Sequence, residues 1–250
     1  MSGLFDLGGR TALVTGASSG LGRRAGIALA RAGARVVGVA RRAEALEEWR
    51  EETGGEAVAL SADLSVRGAI AGIAARAAEP FGPPEILVNA AGINTRQAAD
   101  EVTPEGWDIT LALNLTVPFF LAQALAPGMR AAGYGRIVNF GSLQSRRAFP
   151  GGIAYGASKG GVEQLTRAMA EAWSADGITA NALAPGFFPT ELTGPVFADA
   201  TLAARHADAT CIGRNGAPED LDGPLLFLCA PASAYVTGQM LFVDGGYTAK

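Results

Sequence analysis

Tyr155 and Lys159 stand four residues apart in Tyr155-Gly-Ala-Ser-Lys159, with Ser142 upstream of them. On a helix that spacing puts both side chains on one face. A free phenol has a pKa of roughly 10 and is a poor base near neutrality. A cation beside it favours phenolate and brings proton transfer closer to working pH. The constellation therefore suits the exchange of one proton with a bound oxygen. Tyr and Lys also meet at this spacing by chance on many helices, so the pair draws its weight from what precedes it.

That preceding feature is Thr15-Gly16-Ala17-Ser18-Ser19-Gly20-Leu21-Gly22. It follows an apolar run at residues 12–14 and opens an Ala- and Leu-rich segment at 21–32. Strand, glycine turn and helix is the order that a dinucleotide fold requires. Gly16 permits the sharp turn, Gly20 lets the backbone approach a pyrophosphate, and Gly22 allows close helix–strand packing. The helix start offers free N–H groups to phosphate. The plainer alternative is an ordinary glycine-rich connection, which the flanking strand and helix argue against.

Four motifs in order make the chain resemble the short-chain dehydrogenase/reductase family over residues 6–247. They are the glycine turn at 15–22, Asn89-Ala90-Ala-Gly92, Ser142 with Tyr155 and Lys159, and Pro185-Gly186 followed by Thr190. Three residues separate the first two glycines, where the usual dinucleotide fingerprint has one. The resemblance implies hydride transfer between a nicotinamide and a carbonyl or alcohol carbon. It casts Tyr155 as proton donor or acceptor and Lys159 as the cation that favours phenolate and holds the nicotinamide ribose. Ser142 becomes the hydrogen-bond partner of the substrate oxygen, and Asn114 the holder of a water joining Lys159 to solvent. Ser158 lies elsewhere on the helix circumference and receives no role.

Cofactor preference is read at the second strand's end, Val36-Val-Gly-Val-Ala40, followed by Arg41 and Arg42. An acidic residue there would bind ribose hydroxyls and favour NAD, whereas an arginine accommodates a 2′-phosphate. The resemblance puts the acidic position at Ala40, so NADP is expected and NAD is the alternative. Around the glycine turn, Ser18, Ser19 and Leu21 join the cofactor set. So do Asp63 and Leu64, which the resemblance sets against adenine; Asp63 could equally cap the turn into Ser65. Asn89, Ala90 and Gly92 would line the cofactor, and Pro185, Gly186, Phe188 and Thr190 would meet the nicotinamide end.

Apolar, β-branched runs at 12–14, 36–39, 57–60, 86–88, 137–140, 178–183 and 241–243 alternate with helical segments. That pattern predicts an α/β fold, a Rossmann-type doubly wound parallel sheet of about seven strands flanked by helices. No linker or repeat divides the 250 residues, so one catalytic domain over 1–250 is expected. The resemblance makes residues 187–213, which follow a strand end, a substrate-covering lid, the plainer alternative being a surface excursion, and a helix is predicted at 199–206. A net charge of −4 gives no reason to expect nucleic-acid binding. Cys211, Cys229 and the single His206 make no zinc-spaced cluster, and His206 reads as a surface or lid residue.

Residues 109–129 carry no charge and could span a bilayer by length. Asn114, Thr116, Gln123, Pro118 and Pro127 interrupt them, so a helix covered by protein is the better reading. With no secretory leader at 1–6, a soluble, cytoplasmic protein is expected. The resemblance implies that this helix packs on a second subunit. A homotetramer follows if the 109–129 and 153–173 helices pair across a two-fold axis and residues 218–229 and 240–243 supply a second contact.

Arg96, Gln144 and Arg146 border the expected site and resemble the gluconate 5-dehydrogenase-like branch acting on sugar acids and polyols. An arginine there could pair with a substrate carboxylate. Two other readings stay open: a 3-oxoacyl-carrier-protein reductase, and a catalytically inactive nucleotide-binding regulatory protein.

Overall fold

The computed structural model describes residues 3–250, the side chain of Arg67 excepted. Its centre is one parallel sheet of seven strands in the order β3-β2-β1-β4-β5-β6-β7. These are β1 (Thr11–Thr15), β2 (Arg35–Ala40), β3 (Ala57–Ser61), β4 (Ile86–Asn89), β5 (Gly135–Phe140), β6 (Ile178–Pro185) and β7 (Met240–Val243). All seven predicted runs are strands. β1 and β5 are buried at every position, as continuous apolar runs should be when helices cover both faces.

Helices α1 (Gly20–Arg31) and α2 (Ala43–Thr53) pack on one face, and α3 (Ile70–Ala78) on the other. α4 (Pro104–Leu111) begins at Thr103, whose hydroxyl accepts the Gly106 N–H at 3.0 Å. A π-turn, Ala112–Thr116, then leads into α5 (Val117–Ala132). Together they form one apolar helix, Pro104–Ala132, long enough to cross a membrane by length and composition. Here it lies along the sheet: Leu121, Leu125 and Met129 recur every fourth residue and are buried with Ile73 of α3 and Ile137 of β5. Fully burying one such side chain is worth about 1.5–3 kcal/mol.

α6 (Ile153–Trp173) covers β5 and β6 and has the bounds predicted from its sequence. The excursion after β6 holds two helices where one was expected, α7 (Gly194–Phe197) and α8 (Ala200–Asp208). Asp199 caps α8, accepting the Thr201 and Leu202 N–H groups at 2.9 and 3.1 Å. The predicted 218–229 helix divides into a 3-10 turn, Pro218–Leu221, and α9 (Asp222–Cys229), which packs beside α1.

Strand order reverses between β1 and β4, so the loops leaving their carboxyl ends diverge and open a crevice. Thr15 lies opposite Asn89 at its floor.

Candidate active site

α6 carries Tyr155 and Lys159 into the same buried region, 9% and 5% exposed. Lys159 Nζ donates to the Phe140 carbonyl at 2.6 Å and lies 5.6 Å from the Tyr155 ring centroid. Burial lowers the Lys159 pKa to about 8. Burial also raises that of Tyr155, against the opposing effects of a Ser142 hydrogen bond and the nearby Arg96 charge. Spacing alone predicted a phenol made more acidic by its lysine. In the structure the ammonium is turned to a carbonyl, and desolvation outweighs it.

Ser142 ends the loop after β5 and caps the turn Leu143–Ser145, its hydroxyl accepting the Gln144 N–H at 3.1 Å. The Ser142 N–H donates to Ser145 Oγ at 3.2 Å, and Ser145 Oγ donates to the Lys159 carbonyl at 2.8 Å. Ser145, unassigned from sequence, thus fastens the Ser142 turn to the Lys159 helix.

Asn114 occupies the middle of the π-turn, a geometry found often at functional sites. Its Oδ1 accepts the Ile93 N–H at 2.9 Å, and its Nδ2 donates to the Ile93 carbonyl at 2.9 Å and to Ser158 Oγ at 3.0 Å. Ser158 in turn donates to the Tyr155 carbonyl at 2.7 Å. Ser158, which has no role in the sequence reading, is joined to Asn114. Its side chain does leave the Tyr155–Lys159 face, but the π-turn brings Asn114 to meet it.

The glycine turn fits a dinucleotide. A methyl group on Gly22 would lie 2.4 Å from the Gly16 carbonyl, so the helix sits against the turn as the motif requires. Gly20 has φ +54°, and a methyl group there would reach 3.3 Å from Thr190, narrowing the groove. No side chain caps the start of α1, which leaves its first N–H groups for a phosphate. Thr15 Oγ1 accepts the Ala90 and Ala91 N–H groups at 3.1 and 3.0 Å and so pins the loop beyond β4. A methyl group on Gly92 would stand 3.8 Å from Lys159 Nζ, so this loop passes directly over the lysine.

Other expected cofactor residues have partners of their own. Asn89 Nδ2 donates to Asn139 Oδ1 at 2.9 Å, linking β4 to β5. Asp63 accepts from the Ser65 N–H and hydroxyl at 2.9 and 2.7 Å, the capping alternative, with Leu64 buried behind it. Arg41 is exposed beside Asp63, whereas Arg42 pairs with Glu191 and Ser18. Pro185 ends β6, Gly186 N donates to the Val243 carbonyl at 2.9 Å, and Phe188 is buried. Thr190 and Thr193 share a hydroxyl contact of 2.9 Å at the start of the lid.

Of the three expected substrate residues, two border the Tyr155 site. Arg96 has φ 52°, the only positive φ at a non-glycine among the described residues. Asn94 Oδ1 accepts its N–H at 3.1 Å, and its Nη2 donates to the Leu192 carbonyl of the lid. Strain of this kind gathers at ligand sites. Gln144 lies against the backbone of Gly152, just ahead of α6. Arg146 turns towards α6: its Nη2 meets Glu163 Oε1 at 2.7 Å, and it lies over the Phe242 ring. His206 lies on α8, stacked on Phe187 at 3.6 Å and grouped with Phe149 and Tyr247.

A family model described as enoyl-(acyl carrier protein) reductase matches residues 16–248. The chain is 42% identical to gluconate 5-dehydrogenase of Gluconobacter oxydans (strain 621H), covering 98% of this chain and 97% of that protein. It is 41% identical to galactitol 2-dehydrogenase (L-tagatose-forming) of Cereibacter sphaeroides, with the same coverage. Among solved structures, it superposes with TM-score 0.93 on a gluconate 5-dehydrogenase from Burkholderia cenocepacia J2315 in complex with NADP and tartrate. That match is 38% identical and covers 100% of this chain and 99% of the other. With Tyr155 and Lys159 buried on α6 beside the crevice of the glycine turn, the chain belongs to the short-chain dehydrogenase/reductase family.

Proposed function

We propose that this protein is an NADP-dependent oxidoreductase that interconverts a carbonyl and a secondary alcohol of a sugar acid or polyol. The observation that carries the reading is that α6 buries Tyr155 and Lys159 together, with the Ser142 turn fastened to that helix through Ser145 and its bond to the Lys159 carbonyl. A relative named for gluconate, one named for galactitol, and a structure holding NADP with tartrate support the substrate class.

When bound, the nicotinamide cofactor supplies or accepts the hydride. Tyr155 gives its phenolic proton to the carbonyl oxygen during reduction and takes it back during oxidation. Ser142 holds the same oxygen and stabilises its developing charge. Lys159, beneath the loop at Gly92, would hold the nicotinamide ribose. Asn114 fixes the Ile93 backbone and, through Ser158, the helix that bears Tyr155. Ser18, Ser19, Gly20 and the free start of α1 would hold the phosphates, with Arg41 and Arg42 at the 2′-phosphate. Arg96 would take the substrate carboxylate, an ionised acceptor in place of the neutral Leu192 carbonyl.

Exposed Ile109, Phe120 and Ile153, on α4, α5 and α6, support a shared apolar interface, and we read the assembly as a homotetramer. A soluble, cytoplasmic chain acting as one catalytic domain fits the same picture. The acyl-carrier-protein reductase and the inactive nucleotide-binding protein are the weaker readings. The first is not favoured by the sugar-acid relatives, and a binding module has no need of the Tyr155 and Ser142 pair. Nicotinamide absorbance followed over sugar acids, polyols, simple ketones and acyl thioesters, with both cofactors, tests the proposal. Turnover of sugar acids or polyols is expected, and turnover confined to acyl thioesters would replace it.

A further inference from the structure

Adjacent residues of the excursion after β6 hold two of the three arginines that the proposed reaction assigns to anions, Arg42 and Arg96. Glu191 meets Arg42 with both oxygens, Nη1–Oε1 at 2.9 Å and Nη2–Oε2 at 3.1 Å. The same Nη2 lies 3.3 Å from Ser18 Oγ. One residue on, the Leu192 carbonyl accepts from Arg96. The lid thus reaches back to the glycine turn on one side and to the substrate loop on the other.

Glu191 holds Arg42, a group that an incoming 2′-phosphate would use. The Arg42 guanidinium fork holds both oxygens of its carboxylate, Ser18 Oγ lies against the same fork, and the carboxylate arrives from a segment 149 residues distant in sequence. The arrangement makes a carboxylate the resident anion of a site built for phosphate. We propose that Glu191 is a specificity-determining residue, an internal carboxylate that competes with the 2′-phosphate of NADP for Arg42. This rests on the NADP reading above. NAD carries a hydroxyl at that position and leaves the Arg42–Glu191 pair intact. NADP must displace the carboxylate, which frees the lid from its tether on the cofactor side. Both partners are more than half exposed, at 52% and 64% of their side-chain surface. Water therefore screens the pair, and a dianionic phosphate with bidentate geometry can replace it.

Fluorescence titration of NADPH and NADH against wild type and Glu191→Gln tests this without turnover. The variant should bind NADPH about two- to fivefold more tightly, the size expected for removing one exposed ion-pair competitor, with NADH affinity unchanged. In wild type, NADPH but not NADH should speed amide exchange at residues 190–194. Unchanged or weaker NADPH binding by the variant, or an equal gain for both nucleotides, overturns the role of Glu191. A wild-type protein that prefers NADH overturns the cofactor reading itself, and this inference with it.

Discussion

Asn114 donates a side-chain N–H to Ser158 Oγ at 3.0 Å, and both residues are buried, 1% and 0% exposed. The contact joins two segments that otherwise approach the site separately. One is the π-turn that interrupts the long apolar helix; the other is α6, which carries Tyr155 and Lys159. Because Ser158 also donates to the Tyr155 carbonyl, the amide of Asn114 and the backbone of the candidate proton donor share one hydroxyl.

Ser158→Ala removes the acceptor and leaves a buried amide N–H without a partner. Such a group costs about 1–3 kcal/mol. For a chain of this size, each ~1 kcal/mol lowers Tm by about 2–4 °C. Thermal unfolding should show a loss of that order, and kcat should fall with little change in cofactor Kd. A variant with wild-type Tm and kcat would show that the shared hydroxyl is dispensable.

Lys159 should leave a signature in stability against pH. Burial lowers its pKa from 10.5 to about 8. Between those values the unfolded chain keeps a proton at this site that the folded chain has lost. The contribution of Lys159 to stability therefore rises as pH rises through the window, and below about 8 the charged form burdens the fold. Relative to Lys159→Met, the cofactor-free wild type should gain roughly 3 kcal/mol from pH 8 to 10.5. A flat difference in denaturant midpoint across that range would contradict the assignment.

Much of this site is legible in the residues, and the remainder is hidden for physical reasons. The strands at Val36 and Ile178 can be read because parallel strands covered on both faces must be apolar throughout. The glycine turn can be read because Gly22 has no alternative against the Gly16 carbonyl. The π-turn cannot, since Ala-Leu-Asn-Leu-Thr contains nothing that demands an i→i+5 bond. Ser158 is lost with it, because an argument from helix angles treats α6 as an isolated cylinder. Arg146 looks free for a substrate because Glu163, its partner, lies 17 residues away on another element. Thr15 and Ser145 form their contacts only once the loops after β4 and β5 are folded.

Arg96 is expected to recognise a carboxylate. Arg96→Ala should raise KM for a sugar acid about 10- to 100-fold, the equivalent of losing one charge-assisted hydrogen bond of about 1.5–3 kcal/mol. A polyol without a carboxylate should suffer far less. Equal losses on both substrates would assign Arg96 to the loop and lid rather than to the substrate.

Light scattering at micromolar concentration checks the assembly. The exposed apolar side chains on α4, α5 and α6 call for an oligomer, with a tetramer expected. A homogeneous particle of 25.4 kDa would rule it out, and a dimer would retain only the helical interface.

The central claim is that the Tyr155 oxygen moves the proton, and Tyr155→Phe tests it most directly because it deletes that one atom. With a sugar-acid or polyol substrate turned over by the wild type, the variant should lose kcat by about 100- to 10,000-fold, the usual contribution of a general acid–base group. Its NADPH affinity, measured in the same preparation, should stay within a few-fold of wild type. Near-wild-type turnover by Tyr155→Phe would contradict the account.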